Sequence, residues 1–157
     1  MLDCNINIKR MQIAYNEALK ANNEDEVPIG AVIFKNDKII GRGYNQVEQL
    51  KDSTAHAEII GITSAANFLN DWRLNNASIY VTKEPCLMCF GAILNSRIEN
   101  IYYGFPDDKH GFRSKLKKES FFLTNHLKHI EGNILDFDCK KIVEDFFISK
   151  RKKNKKT

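Results

Sequence analysis

No apolar run in the 157-residue sequence approaches the 18 or so residues that a membrane-spanning helix needs. The first five residues also lack the basic region and apolar stretch that are typical of a secretory signal. We therefore expect a cytoplasmic protein with no membrane partner. No internal repeat, low-complexity linker or shift in composition divides residues 1–149, and 43% of the chain is hydrophobic, which is enough for one core. We predict a single domain over residues 1–149.

Cysteine is scarce, with four residues in the chain. Cys86 and Cys89 form one closely spaced pair, whereas Cys4 and Cys139 stand alone, and this pattern is unlike the disulfide framework of a secreted protein. It suits metal ligation in a reducing compartment. We predict a metal site at the pair and unpaired thiols at Cys4 and Cys139.

Positive charge is concentrated at the C-terminal end of the chain. The segment 150–156 carries six lysines and arginines, and subtracting these from the net charge of +4 leaves −2 for residues 1–149. The body of the protein is therefore nearly neutral. We expect residues 150–157 to form a basic C-terminal tail, either a solvated, disordered end or a segment that contacts nucleic-acid phosphates.

Hydrophobic periodicity predicts both helices and strands. Helical spacing of apolar residues predicts helices near residues 5–21, 55–68, 86–95 and 136–150, and a short helix around residues 115–120. Short β-type runs predict a hairpin of strands at 29–34 and 39–44, and further strands at 79–82, 101–103 and 130–135. The alternation of strands and helices after residue 78 indicates an α/β layer architecture.

Two details of these helices can be predicted from side-chain chemistry. The helix at 55–68 follows Asp, Ser and Thr at positions 52–54, any of which could cap its N-terminus. In the closing helix, we expect Ile142, Phe146 and Phe147 to face inward.

Two short segments carry the chemistry: His-Ala-Glu at 56–58 and Pro-Cys-Leu-Met-Cys at 85–89. Residues at i and i+3 of a helix share a face, so both sulfurs of Cys86 and Cys89 can reach one ion. His56 supplies a third ligand, and three protein ligands leave the fourth tetrahedral position for water, as in catalytic zinc sites. Sulfur and nitrogen donors favour Zn²⁺ over Mg²⁺ or Ca²⁺.

Glu58 is assigned a proton-transfer role rather than a ligand role. It lies two residues, or roughly 200°, from His56 around a helix, so both reach one ion only if that ion sits beyond the helix N-terminus. Zinc lowers the pKa of its water towards about 7, and a nearby carboxylate can then take up and return the proton. A zinc knuckle or a core cysteine pair is the structural alternative, but no fourth closing ligand is present in the pattern.

His-x-Glu followed by Pro-Cys-x-x-Cys matches the signature of zinc nucleobase deaminases. Here the sequence resembles the cytidine deaminase-like superfamily, and within it the bacterial tRNA-specific adenosine deaminases, which convert adenosine to inosine at the anticodon wobble position. The resemblance covers nearly the whole chain. The matching stretches are residues 26–32, 43–45, 54–58, 73–74, 80–82, 84–86, 88–89, 96–98, 107, 109, 111, 125–126 and 145–147.

The resemblance implies a fold, a set of roles and a set of partners. The fold is a three-layer α/β/α arrangement with a central five-stranded mixed sheet flanked by helices. His56, Cys86 and Cys89 would bind Zn²⁺, and Glu58 would be the proton shuttle. The implied substrate-binding residues are Asn45 at the flipped nucleoside, Val27, Pro28 and Ile29 as walls, Ala57, Glu84 and Pro85 around the base, and Asp107 and Lys109 along the RNA path. The implied partners are a tRNA anticodon stem-loop and a second copy of the chain.

The sequence departs from the family pattern at two positions. Lys83 stands where leucine is usual, and a charge there on a central strand is costly unless its head group reaches solvent or RNA. Ser53 replaces a common proline. Neither position is a proposed ligand, so the catalytic assignment is unaffected.

The sequence predicts an adenosine deaminase that acts on tRNA by attack of a zinc-activated hydroxide on carbon 6. A loop base suits this chemistry, because a stacked base cannot present its amine to a buried metal. Two alternatives stay open: a deaminase of a free base or nucleoside such as guanine or cytosine, and a non-catalytic zinc-containing RNA-binding module. The basic tail argues against the first, and Glu58 argues against the second.

Overall fold

A computed structural model describes residues 2–121 and 124–155 of the chain. Within these residues, helices and strands alternate along most of the chain. The helices are α1 (Leu2–Asn23), α2 (Val47–Leu50), α3 (Ala57–Leu69), α4 (Leu87–Asn95), α5 (Phe112–Lys115) and α6 (Asp136–Asn154), with a 3-10 helix at Lys118–Ser120. The strands are β1 (Gly30–Lys35), β2 (Lys38–Tyr44), β3 (Ala77–Lys83), β4 (Asn100–Phe105) and β5 (His129–Glu131).

The five strands form one mixed sheet in the order β2-β1-β3-β4-β5. Strand β1 pairs antiparallel with both β2 and β3, whereas β3, β4 and β5 run parallel to one another. The start of β1 and the ends of β2, β3 and β4 therefore lie at the same edge of the sheet. This edge carries the candidate site described below.

Helices cover both faces of the sheet, and the strand side chains alternate between two cores. On one face, Ile33 and Ile79 belong to a core that includes residues of α3 and α4. On the other face, Val32 and Tyr80 belong to a core that includes residues of α1 and α6. The predicted three-layer α/β/α fold with a five-stranded mixed sheet is thereby confirmed.

Helix α1 shows how one apolar stripe covers a face of the sheet. Met11, Ala14, Ala18 and Ala21 are fully buried and follow one another at helical spacing. The small alanines let the helix approach the strands closely. Helix α3 lies equally close on the other face, because a Cβ on Gly43 of β2 would be 2.2 Å from the carbonyl oxygen of Ala57. Glycine at this position lets the start of α3 reach the sheet edge.

Several element bounds differ from the sequence prediction. Strand β5 has three residues instead of six, and the predicted helix at 115–120 is divided into α5 and the 3-10 helix. Helix α2 was not predicted, because none of its four residues is buried and it has no apolar stripe to detect. None of residues 52–54 caps α3. Its N-cap residue is His56, and the Asp52 carboxylate instead accepts the backbone amide of Thr54.

The C-terminal helix also departs from prediction in two respects. Cys139 and Val143 are buried on its inner face, but Phe147 is 44% exposed, so its predicted inward position is wrong. One turn after Val143, the Phe147 side chain lines a cavity. Helix α6 also continues to Asn154, four residues beyond its predicted end at residue 150. The division into a domain at 1–149 and a basic tail at 150–157 stays a prediction.

The last part of the predicted tail, residues 156–157, lies outside the described residues.

Cys139 is a free, buried thiol, and burial raises its pKa to about 12. The unpaired thiol at Cys4 stays a prediction. None of the described helices is both long enough and apolar enough to cross a membrane.

Candidate active site

The candidate site is a cavity of about 1160 Å³ at the sheet edge where β2, β3 and β4 end and β1 begins. Residues just beyond these strand ends line it: Val27 and Ile29 before β1, Asn45 after β2, Glu84 after β3 and Asp107 after β4. The register of the sheet brings these distant segments together, since Gly30 pairs with Tyr44 and Lys83 pairs with Phe105. The N-termini of α3 and α4 close its inner end.

A metal-donor cluster, defined as His56, Cys86 and Cys89, lies at these two helix N-termini. His56 is the N-cap residue of α3 and Cys86 is the N-cap residue of α4, and neither side chain caps its own helix. Cys89 lies in the first turn of α4. Among the described residues, these three side chains offer donor atoms within 4.8 Å of one another and could hold a metal ion.

The donor separations fit a tetrahedral zinc ion. The Nδ1 atom of His56 lies 3.6 Å from Sγ of Cys86 and 3.5 Å from Sγ of Cys89. With Zn–S bonds of about 2.3 Å and Zn–N bonds of about 2.0–2.1 Å, tetrahedral angles place sulfur and nitrogen ligands about 3.6 Å apart. Two thiolates and one imidazole also match the donor preference of zinc. The residues present therefore fit this ion.

The electrostatics of the cluster favour a thiolate at Cys86. The hydrogen bond from Cys89 holds the pKa of Cys86 at about 4, with the contact to His56 contributing in the same direction. The same Cys86–Cys89 hydrogen bond raises the pKa of Cys89, so without an ion the pair shares a proton. The contact with Cys86 also raises the pKa of His56. Cys89 and His56 would therefore be the groups that release protons when a cation binds.

Glu58 lies in the first turn of α3, directly beside the metal-donor cluster. Its side chain is buried yet lines the cavity, and burial raises its pKa. Its own backbone amide, His56 and Cys89 act in the opposite direction and lower the pKa of Glu58, so the carboxyl group contacts the cluster. A buried carboxyl group in this position can hold or release a proton next to a metal-bound ligand.

A second buried acid, Glu26, holds Asn45. The Glu26 carboxylate is 1% exposed and accepts the backbone amide of Gln49 at 2.6 Å and the side-chain amide of Asn45 at 3.3 Å. The Asn45 nitrogen is thereby engaged, which leaves its carbonyl oxygen as an acceptor. Both residues line the cavity. The sequence feature that could have identified Glu26 is its position, as an acidic residue, before the apolar run that forms β1.

Glu84 joins the end of β3 to the segment that follows β4. One carboxylate oxygen accepts the backbone amide of Asp107 at 2.9 Å, and the other accepts that of Arg113 at 3.0 Å. The approach of the chain is tight, because a Cβ on Gly111 would be 2.4 Å from the Glu84 carboxyl carbon. Glu84 is 4% exposed and also lines the cavity. This carboxylate therefore fixes the polar, irregular segment in place.

Lys83 and Asp107 form an ion pair in the cavity wall. The Lys83 Nζ atom lies 2.7 Å from Asp107 Oδ2, and the two side chains are 25% and 12% exposed. Asp107 Oδ1 accepts the backbone amides of Lys109 and His110, each at 3.0 Å. The cost of a lysine on a central strand is thus offset by a carboxylate as well as by partial exposure.

The end of α6 lines one side of the cavity. Lys150 forms an ion pair with Asp25 and lies 5.4 Å from the centre of the Phe146 ring. Phe146 and Phe147 both line the cavity. We define the outer wall of the cavity as Asp25, Lys83, Asp107, Phe147 and Lys150, which include the Lys83–Asp107 and Lys150–Asp25 ion pairs.

Comparison with known proteins identifies the family. A family model described as MafB19-like deaminase matches residues 6–151. The chain is 42% identical over 141 residues to a tRNA-specific adenosine deaminase of Buchnera aphidicola subsp. Schizaphis graminum, covering 90% of this chain and 93% of that protein. It is 41% identical over 149 residues to a tRNA-specific adenosine deaminase of Bacillus subtilis, covering 92% and 91% respectively. The chain belongs to the tRNA-specific adenosine deaminase family.

A solved structure agrees with this family assignment. It comes from work on A-to-I editing by tRNA:A34 deaminases at the wobble position of transfer RNA. The two chains are 38% identical and superpose with a TM-score of 0.77, covering 85% of this chain and 98% of the other. The resemblance to tRNA-specific adenosine deaminases that was drawn from sequence motifs is confirmed.

Within this deaminase, the structure brings most of the predicted substrate-binding residues to the cavity. Six of them line it: Val27, Ile29, Asn45, Ala57, Glu84 and Asp107. Three others do not line it. Pro28 and Pro85 are buried, and Lys109 is exposed, with its backbone amide donated to Asp107. The roles of all nine residues stay predictions.

Sequence reasoning missed several residues that line the cavity of this deaminase. These are Glu24, Asp25 and Glu26 before β1, Val47, Glu48 and Gln49 on α2, and His110 after Asp107. Residues from α2 could not be found, because the helix itself was not predicted. His110 is exposed at the cavity.

Proposed function

We propose that this protein deaminates adenosine to inosine at the wobble position of a tRNA anticodon. Membership of the tRNA-specific adenosine deaminase family and the similarity to a tRNA:A34 deaminase support this function. The observation that carries it is the placement of Glu58 beside three donors whose separations match a tetrahedral zinc ion, at the inner end of an open cavity.

Zn²⁺ is the proposed cofactor, with Nδ1 of His56 and the sulfurs of Cys86 and Cys89 as its ligands. When bound, zinc lowers the pKa of water to about 7 and so makes a nucleophile available at neutral pH. The helix N-termini of α3 and α4 both point at the donors, and their positive ends stabilise the thiolate charge.

Glu58 moves the protons in this proposal. The reaction replaces the C6 amine of adenine with the oxygen of one water molecule, and it releases ammonia. One hydrogen of that water ends on ring nitrogen N1, and the other leaves with the amine. Glu58 takes each proton in turn and delivers it, first to N1 and then to the departing nitrogen. Its burial keeps bulk water from competing for these protons.

The rest of the cavity supports a nucleotide within RNA rather than a free base. Its volume of about 1160 Å³ exceeds the usual range of about 300–1000 Å³ for small-molecule pockets, and its walls come from six separate chain segments. Asn45, held by Glu26, offers an acceptor for a ribose hydroxyl or a base donor. Val27, Ile29 and Ala57 offer apolar contacts to the flipped base.

We further propose that the protein is a cytoplasmic homodimer that binds the anticodon stem-loop. Leu87 and Met88 are 47% and 38% exposed, directly beside ligand Cys86, and a second subunit would bury them. The basic end of α6, from Lys150 onward, would contribute phosphate contacts. The size of this protein in solution, measured by sedimentation at micromolar concentration, tests the dimer, and a monomer contradicts it.

The substrate assignment is tested with an RNA stem-loop that carries adenosine at the first anticodon position. We expect the zinc-loaded protein to convert this adenosine to inosine, detected by sequencing as a change from A to G. The same stem-loop with its adenosine moved one position downstream is the matched control and should stay unconverted. Free guanine and cytidine are tested in parallel. Conversion of either of them, with an unchanged stem-loop, would establish the free-base alternative instead.

The non-catalytic alternative makes a different prediction for the same assay. A zinc-containing RNA-binding module would bind the stem-loop without converting it. Such a module would also have no use for the buried carboxyl group of Glu58 in the cavity lining. Stoichiometric zinc together with RNA binding and no inosine would therefore support that module.

A further inference from the structure

The cavity walls carry more acidic than basic side chains, although the proposed RNA substrate is itself negatively charged. Seven carboxylates line the cavity, against two lysines and no arginine among the described residues. RNA carries one negative charge per phosphate, so the carboxylates oppose its approach. The two lysines, Lys83 and Lys150, are the permanent cations that a phosphate at this cavity could meet.

Lys83 is the more deeply placed of the two. Its side chain is 25% exposed, whereas that of Lys150 is 36% exposed and pairs with an aspartate that is 62% exposed. Lys83 is the last residue of β3, and three residues further along the chain lies Cys86 of the metal-donor cluster. Lys83 therefore lines the same cavity as Glu58, on the segment that leads from β3 to the metal-donor cluster.

The hydrogen bonds of the pair leave more free donors on Lys83 than free acceptor capacity on Asp107. Asp107 Oδ1 accepts two backbone amides, and Oδ2 accepts the Lys83 ammonium group. An ammonium group has three donors, and Lys83 uses one of them on Asp107. Asp107 is thus largely satisfied by its own turn, whereas Lys83 retains two donors at the cavity.

We propose that Lys83 binds a backbone phosphate of the RNA beside the nucleotide that enters the cavity. The inference rests on the proposed function, since it takes RNA as the substrate. The ammonium group is a compact point charge, which suits a phosphate oxygen better than a base edge. Asp107 then acts as a positioning residue that holds the Lys83 head group against the wall.

The test is the salt dependence of stem-loop binding, measured in the Glu58→Gln background so that no conversion occurs. Lys83→Met removes the charge and keeps an unbranched apolar side chain. A contact to a single-stranded phosphate contributes about −0.7 to the slope of log K against log salt. From 50 to 200 mM salt, the affinity of the parent protein should fall about 2.5-fold more than that of Lys83→Met. Lys83→Arg should keep the slope of the parent.

Lys128→Met is the matched control, because Lys128 also forms a 2.7 Å ion pair with a carboxylate, on Glu99, but does not line the cavity. Its slope should equal that of the parent protein. The double variant Lys83→Met/Asp107→Asn removes the unpaired carboxylate that Lys83→Met alone would leave. We expect the double variant to keep the reduced slope. If it regains the parent slope and affinity, Lys83 acts only by neutralising Asp107, and the inference is wrong.

Failure of this inference differs from failure of the proposed function. If the parent protein with Glu58 intact forms inosine and Lys83→Met binds the stem-loop with an unchanged slope, the function stands and the phosphate contact does not exist. If the protein with Glu58 intact neither binds nor converts the stem-loop, the RNA substrate is wrong and this inference is wrong with it.

Discussion

The metal-donor cluster and the outer wall of the cavity are built in different ways. The three donors lie at the N-terminal ends of two helices that pack on one face of the sheet, and Glu58 lies two residues after His56 in the same helix end. The outer wall is held by ion pairs, Lys83 with Asp107 and Lys150 with Asp25, whose members come from segments 24 and 125 residues apart. One region depends on local geometry, and the other depends on long-range charge pairing.

This difference separates chemistry from recognition. A change in the donor cluster or Glu58 removes a reacting group, whereas a change in the outer wall alters how a charged substrate is held. Exposed ion pairs contribute little to stability, so the Lys150–Asp25 pair, at 36% and 62% exposed, can change at a small cost to the fold. Lys83 belongs to this outer wall and is paired with Asp107.

The largest effect is expected at Glu58. Glu58→Gln keeps the shape of the side chain and removes its ability to carry a proton, so the rate of inosine formation should fall by about 10²- to 10⁴-fold. Zinc content, measured by atomic emission, should stay at one ion per chain, because Glu58 is not one of the three donors. Loss of zinc from this variant would mean that Glu58 is a ligand.

The next effect concerns Glu84, which joins the two regions. Glu84→Gln replaces one acceptor oxygen with an amide group that faces a backbone N–H of Asp107 or Arg113. Losing a hydrogen bond to a charged group should lower the free energy of unfolding by about 1.5–3 kcal/mol. Chemical denaturation measures this change. Glu48→Gln is the control, since the Glu48 side chain is 78% exposed, and it should change stability by less than about 0.5 kcal/mol.

Much of the fold could be predicted from the sequence because its signals are local. The alternation in β1 and the helical spacing in α1 each follow from which side chains must be buried. The strand order could not be obtained this way, since pairing of β1 with both β2 and β3 depends on contacts between distant segments. Helix α2, which buries none of its residues, left no pattern in the sequence.

The residues of the candidate site also differ in whether the sequence alone could identify them. His56, Cys86 and Cys89 could be proposed from spacing, because metal ligation requires particular donor atoms at a short distance. The partners of Lys83 and Lys150 could not be identified from spacing, since an ion pair can form between any two segments that the fold brings together. Glu26 is similar, as its role depends on a contact with Asn45 nineteen residues later.

A smaller effect is expected from the basic end of the chain. Removing residues 151–157 keeps the Lys150–Asp25 ion pair but deletes the remaining tail charges. If the tail contacts RNA phosphates, the slope of log K against log salt for stem-loop binding should fall by at least about 0.7, the value for one single-strand contact. The unfolding temperature should stay the same. An unchanged slope would assign the tail a role in solubility alone.

The smallest effect is a change in acid stability that comes from the outer wall. Burial raises the pKa of Asp107, but the Lys83 ammonium group and two backbone amides lower it more, so the net value lies below the ordinary 3.8. A carboxyl group whose pKa is lower in the folded state stabilises the fold above its unfolded pKa. This contribution is lost as the pH falls through the folded pKa.

Asp107→Asn isolates that contribution, because an asparagine oxygen can still accept the amides of Lys109 and His110 while the charge is absent. Between pH 7 and pH 3, the free energy of unfolding should therefore decrease less for Asp107→Asn than for the parent protein. Denaturant titrations at each pH measure the two decreases, and Asp108→Asn, at an exposed neighbouring position, should match the parent. Equal decreases in all three proteins would show that the Lys83–Asp107 pair is too well solvated to affect folding. The outer wall would then affect substrate binding but not stability, whereas Glu84 would affect stability.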